Sequence, residues 1–157
     1  MAAAYELGIR LEMVDGVPVW EAHPVLRHQM AVDRIRRSVR RAPHTDGGCG
    51  CVDYSDVEVT FADGSIKRPD IAIYFRQPDD LDSAITMIPE AVIEILSSGY
   101  EKKDMLIGVP FYLEQGVKDV VLLDPRTGDV THHRRDGVRK LRSPTLIRFE
   151  CGCEAEV

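Results

Sequence analysis

The sequence predicts an α/β (α+β) fold, a mixed β-sheet with helices packed on it beside antiparallel β-hairpins. Three observations carry this. Ala91–Leu96, a helical stretch at 101–115 and Asp119–Leu123 form a strand–helix–strand run, the pattern of a crossover between parallel strands. Asp-Gly pairs at Asp15-Gly16 and Asp63-Gly64 sit between apolar segments and mark hairpins. His23-Pro24 opens an amphipathic helix, because Pro suits the first helical position.

Taken in order, Gly8 to Met13 and Val17 to Glu21 are two short strands joined at Val14-Asp15-Gly16. The first helix is expected to run to about Arg41, with Val25, Val32, Ile35 and Val39 on one stripe and His28 beside them. Arg27, Arg34, Arg36, Arg37, Arg40 and Arg41 occupy the other faces. Val57, Val59 and Phe61 alternate, so Asp53 to Phe61 reads as a strand, turned back by Ala62–Ser65 into Ile66 to Phe75. Residues 77–89 are polar, contain Pro78 and Pro89, and read as a surface loop. The second helix, about Glu101 to Gln115, stops at Gly116, and Pro110 is expected to kink or split it. After Asp119–Leu123 come a hairpin around Arg135-Asp136-Gly137 and an extended tail.

A chain of 157 residues reads as a single domain over 1–157 and is long enough to bury a core. Its 44% apolar and 29% charged content is that of a soluble globular protein. No apolar run is long enough to span a membrane. Met1–Tyr5 lacks the basic and apolar regions of a secretory signal, so the expected location is the cytoplasm by default. A net charge of −6 argues against a protein that coats nucleic acid non-specifically.

Two carboxylates stand out. Asp70 opens the apolar run Asp70–Phe75, and Glu94 lies inside Ala91–Leu96. Strands this apolar are sheet interior, where a carboxylate is costly unless a cation or hydrogen-bond donors meet it. Two adjacent acids repel unless they share a proton or a cation, and a hard ion such as Mg²⁺ prefers oxygen ligands. The alternative is a buried ion pair with Arg or Lys for each.

Four cysteines fall in two identical tripeptides, Cys49-Gly50-Cys51 and Cys151-Gly152-Cys153. Four thiolates can close a tetrahedral, structural zinc site. Cys-x-Cys is not the usual zinc spacing, so free thiols are the leading alternative and disulfides, rare in a reducing compartment, the third.

The order of elements and the residues resemble the PD-(D/E)xK, or restriction-endonuclease-like, superfamily. Within it the chain resembles the bacterial Uma-two family of "putative restriction endonucleases". The resemblance rests on Arg68-Pro69-Asp70-Ile71-Ala72-Ile73 and Pro89-Glu90-Ala91-Val92-Ile93-Glu94-Ile95-Leu96-Ser97. It continues through Asp104, Tyr112, Gly116-Val117 and Val120–Pro125, and covers about Leu11 to Arg148. It implies that Asp70 and Glu94, with the backbone carbonyl of Ile95, hold Mg²⁺ or Mn²⁺. It implies hydrolysis of DNA phosphodiester bonds, and a homodimer is compatible with it. A bound metal would neutralise the scissile phosphate and activate water, and a nearby lysine would orient that water.

The lysine is where the pattern departs. The superfamily places it two residues after the second acid, where this chain has Leu96. The Uma-two family places it four residues after the Asp matched by Asp104, where this chain has Gly108. Lys102 and Lys103 are the candidate replacements, although at about 100° per residue they sit roughly 120° and 140° from position 108. Lys67 and Arg68 are further cations, with a solvated strand end as their simpler reading. His28 is either an outer contact of the metal site or a half-buried histidine bonded to backbone. Glu58 is a third acid or a solvent-facing strand residue. The arginine face is a phosphate grip or a solvated or dimer-facing surface. His132-His133-Arg134-Arg135 reads as surface. The alternative to a nuclease is a catalytically degenerate module of the same fold that binds nucleic acid or protein.

Overall fold

β-Branched and aliphatic runs build the centre of the molecule, and hairpins and helices cover it. The structure is a computed structural model that describes residues 11–20, 24–45, 48–97 and 104–157, without the Trp20 side chain. In chain order the strands are β1 (Leu11–Val14), β2 (Val17–Trp20), β3 (Arg40–Arg41), β4 (Val52–Tyr54), β5 (Val59–Thr60), β6 (Ile66–Lys67) and β7 (Ile71–Tyr74). They continue as β8 (Ala91–Ile95), β9 (Asp119–Leu123), β10 (Asp129–Arg134), β11 (Gly137–Arg142), β12 (Leu146–Arg148) and β13 (Cys153–Glu156). Helix α1 (Leu26–Ser38) follows β2, and a π-helical turn (Asp104–Gly108) leads into α2 (Val109–Glu114). Among the described residues no helix is long and apolar enough to cross a membrane.

The main sheet has the order β11-β10-β9-β8-β7-β4. β8 and β9 pair in parallel, as the crossover predicts, and the other neighbours are antiparallel. Its two faces feed two cores because successive side chains alternate. Ile71, Ile73, Ile93, Ile95, Val121 and Leu123 pack with Ala31, Val32 and Ile35 of α1. Val92, Val120 and Leu122 pack with Val109, Phe111 and Tyr112 of α2 and with Phe61.

Several boundaries differ from expectation. α1 ends at Ser38, because Val39 turns extended and Arg40–Arg41 pair with β13. Val25 is the helix's N-cap and is exposed, so it is not part of the core stripe. The two long strands of the second hairpin each break in two. Asp56 adopts φ +57° and gives its N–H to the Pro69 carbonyl at 3.1 Å, while Pro69 has no N–H to offer a ladder. The halves part into separate sheets: β4 and β7 join the main sheet, and β5 and β6 join β1 and β2 in the order β2-β1-β6-β5. Pro110, expected to kink or split the second helix, sits in the first turn of α2, just after the π-helical turn gives way to α-helix, and the helical run is continuous over 104–114. The expected extended tail is instead a hairpin, β12–β13, that captures β3.

Candidate functional site

β7 and β8 pair with Ile71 opposite Ile93, and the same register carried one step further sets Asp70 opposite Glu94. Cross-strand neighbours share a face, which brings the two acids together at the strand ends. Their bonds interlock. The Asp70 N–H donates to Glu94 Oε2 at 3.0 Å, and the Ile95 N–H donates to Asp70 Oδ2 at 2.7 Å. His28, on the buried face of α1, sets Nε2 3.1 Å from Asp70 Oδ2. The Tyr112 hydroxyl, from α2, donates to Glu94 Oε1 at 2.7 Å. Among the described residues neither acid meets an arginine, so the alternative of one ion pair per acid is not what the fold builds.

Among the described residues the site holds more negative than positive charge. Burial, then the charges of Asp70 and Asp104, hold the Glu94 carboxyl well above the usual carboxylate range. Lys67 pulls it down, and Glu12 adds a further upward push. Lys67 and Glu12 are themselves buried and paired, Nζ to Oε2 at 2.5 Å. The ammonium lies 5.4 Å from the centroid of the Tyr112 ring, the residue that holds Glu94. Glu12 also accepts the Arg68 N–H at 3.2 Å. Arg68 pairs with Asp56 and stays partly exposed.

Placement therefore sorts the candidates. Asp70, Glu94, Ile95 and His28 come together. Lys102 and Lys103 lie outside the described residues. Gly108 ends the π-helical turn and is buried, and Leu96 packs on the α2-side core. Lys67 is not a solvated strand end. It faces Val59 across the β5–β6 pair, a fully buried position, and cross-strand partners share a face. That register is the signal that could have placed it. Glu12 is the acid that sequence reasoning missed, though the alternation Glu12, Val14 on β1 puts it on the buried face. Among the described residues, Asp104 and Glu12 are further acids that act on Glu94.

Of the four arginines of α1, Arg36 pairs closely with Asp53 at 2.6 Å, and Arg37 lies 4.0 Å from Asp33 on an exposed face. Just beyond the helix, Arg40 pairs with Glu154 at 2.8 Å. His132 is a correction. It points inward from β10, one alternation step from Val130, and is buried between Asp119 at 2.6 Å and Arg139 at 2.7 Å. His133 and Arg134 are half-buried.

The cysteines converge. Cys51 and Cys153 form a disulfide, the alternative ranked last, and Cys49 and Cys151 are thiols. The ligating atoms of Cys49, Cys151 and Cys153 lie within 4.8 Å of one another, the only such group of three or more His, Cys, Asp or Glu residues among the described residues. Burial pushes the Cys151 thiol up to about 12. At the carboxylate site two side chains and a backbone carbonyl would serve instead of three side chains.

The site thus sits on a mixed sheet with a parallel crossover and a helix on each face, with one acid at the end of each of two neighbouring strands. The chain belongs to the Uma2 family, described as "putative restriction endonuclease", whose model matches residues 3–148. A similar solved structure is that of a "putative nuclease belonging to DUF820" from Anabaena variabilis ATCC 29413. It is 18% identical with a TM-score of 0.64, over 89% of this chain and 81% of that chain, a likeness that shows the fold. No curated protein matches.

Proposed function

We propose that this protein is a metal-dependent endonuclease that hydrolyses DNA phosphodiester bonds. Asp70, Glu94 and the Ile95 carbonyl would hold Mg²⁺ or Mn²⁺. The observation that supports this most is the charge imbalance at Glu94, where burial and neighbouring acids disfavour the ionised carboxylate. A hard cation relieves that imbalance, and the donors on offer are all oxygens, the set such ions prefer. When bound, the ion supplies charge neutralisation at the phosphate and a water of lowered pKa.

The chain's own residues orient the acids. His28 and the Ile95 N–H both bond Asp70 Oδ2, fixing that carboxylate's rotation. Tyr112 and the Asp70 N–H fix both oxygens of Glu94. Such outer partners set ligand geometry as firmly as the ligands themselves. Lys67 acts as a positioning residue, a buried positive charge that favours ionised Glu94. Lys102 and Lys103 are the candidates for contact with the attacked phosphate.

Leu96 and Gly108 at the expected lysine positions favour a second reading, a nuclease fold that has lost its chemistry and retains binding. One experiment separates the two. Supercoiled, single-stranded and branched DNA are incubated with the purified chain and Mg²⁺, Mn²⁺ or chelator, beside Asp70→Ala and Glu94→Ala. Cleavage that needs metal and is lost in both variants supports the nuclease. Cleavage that survives both variants, or its absence on every substrate, rejects it.

A further inference from the structure

We propose that in the reduced chain Cys49, Cys51, Cys151 and Cys153 hold one Zn²⁺ as a closed, tetrahedral structural site. The site is separate from the acid pair and does not depend on the nuclease reading. It is built from two segments far apart in sequence, brought together where Cys153 opens β13 opposite Arg41 of β3, whose guanidinium bonds the Cys49 carbonyl.

The geometry of each loop is specific. The Gly50 N–H donates to the Phe75 carbonyl at 2.7 Å, and a Cβ at Gly50 would lie 3.1 Å from that same oxygen. Gly152 turns at φ +89° against Thr45, in a conformation that side chains rarely adopt. A glycine between the two cysteines thus lets each loop aim both sulfurs inward. Cys49 and Cys153 are fully buried, and Cys51 and Cys151 are partly buried.

The distances suit zinc. Zn–S bonds of about 2.3 Å place the four sulfurs of a tetrahedron roughly 3.8 Å apart. Cys49 Sγ already lies 3.3 Å from Cys153 Sγ, and Cys151 falls within 4.8 Å of both. The Cys51–Cys153 contact, now a bond, must open by somewhat under 2 Å on that same spacing, and the Cys51 sulfur, outside the group of three, must swing in to complete the tetrahedron. Reduction of the bond by a dithiol reductant transfers two electrons and two protons, giving two thiols and oxidising the reductant to its disulfide. The four thiols then release their protons to solvent as the sulfurs bind the ion. The Arg41 guanidinium donates to the Cys49 carbonyl at 2.9 Å, placing a positive charge beside a cluster that would carry net negative charge. Soft thiolates select zinc over the hard ion proposed at the carboxylates.

The test uses the full chain, purified with a phosphine reductant and without chelator. Metal is measured by mass spectrometry, thiols are counted in denaturant, and Co²⁺ is titrated as an optical probe. The expected result is about one zinc per chain and Co²⁺ spectra of a tetrahedral all-sulfur site. Cys49→Ser and Cys151→Ser should lose the zinc, while Asp70→Ala and Glu94→Ala keep it. Reduced protein with four countable thiols that neither contains zinc nor takes up Zn²⁺ or Co²⁺ overturns the proposal. Zinc that persists in both serine variants overturns it as well. If the variants do not fold, the Co²⁺ spectrum of the unaltered chain decides.

Discussion

Replacing Lys67 with Met tests the least expected part of the site, the buried Lys67–Glu12 pair. Both side chains are 3% exposed or less, and Nζ lies 2.5 Å from Oε2. At an effective dielectric of about 20, that separation corresponds to roughly 7 kcal/mol of Coulomb attraction, offset in large part by the desolvation of both ions. Removing one partner leaves the other charge buried and costs about 3–5 kcal/mol. For a chain of this size the melting temperature should fall by about 6–20 °C. Lys67→Met with Glu12→Gln removes both charges and should recover at least half of the loss. The assay is urea unfolding of the parent, both single variants and the double variant, read as a double-mutant cycle. A Lys67→Met cost below about 1 kcal/mol, or single-variant effects that simply add, would refute the reasoning. The same variant removes the charge that favours ionised Glu94, so its Mn²⁺ affinity should rise with pH over a higher range than the parent's.

Other expectations follow from the same contacts. Tyr112→Phe removes the donor to Glu94 Oε1 and should weaken Mn²⁺ binding about ten-fold by calorimetry, with unchanged affinity contradicting its orienting role. Glu94 has a raised folded-state pKa, so its stabilisation is present in acid and lost as pH rises through that value. Mg²⁺ should therefore raise the melting temperature more at about pH 8 than at about pH 5.5, and an equal rise at both contradicts this. At Asp119, burial pushes upward but the bonds from His132, the Glu150 N–H and Arg134 together hold the carboxyl low. That stabilisation is present above about pH 4 and lost as pH falls through the depressed value, so Asp119→Asn should flatten the acid side of the stability profile. An unchanged acid slope in that variant would contradict the assignment.

The acid pair is legible in the sequence because an acid in an otherwise apolar run is conspicuous, and β7 and β8 keep their register. The crossover is legible for the same reason: β8 and β9 are each five residues of mostly Val, Ile and Leu. Lys67 and Glu12 are not, because they sit on strands of two and four residues, too short for alternation to fix a face unaided. The division of the second hairpin into two sheets depends on Asp56 adopting a positive φ, which local pattern does not report. His132 looks superficial beside His133, Arg134 and Arg135, and only the pairing of β10 with β9 buries it against Asp119. The cysteine loops are visible as repeated tripeptides, yet their meeting requires β13 to return beside β3, a long-range pairing with no local signature.

The central claim is that Asp70 and Glu94 share one divalent cation. A crystal soaked in Mn²⁺ and measured at a wavelength where manganese scatters anomalously locates the ion directly. The account predicts a single peak within about 2.5 Å of a carboxylate oxygen of each acid, beside the Ile95 carbonyl. No peak there at saturating Mn²⁺, with both carboxylates still held only by His28, Tyr112 and backbone N–H groups, would contradict it.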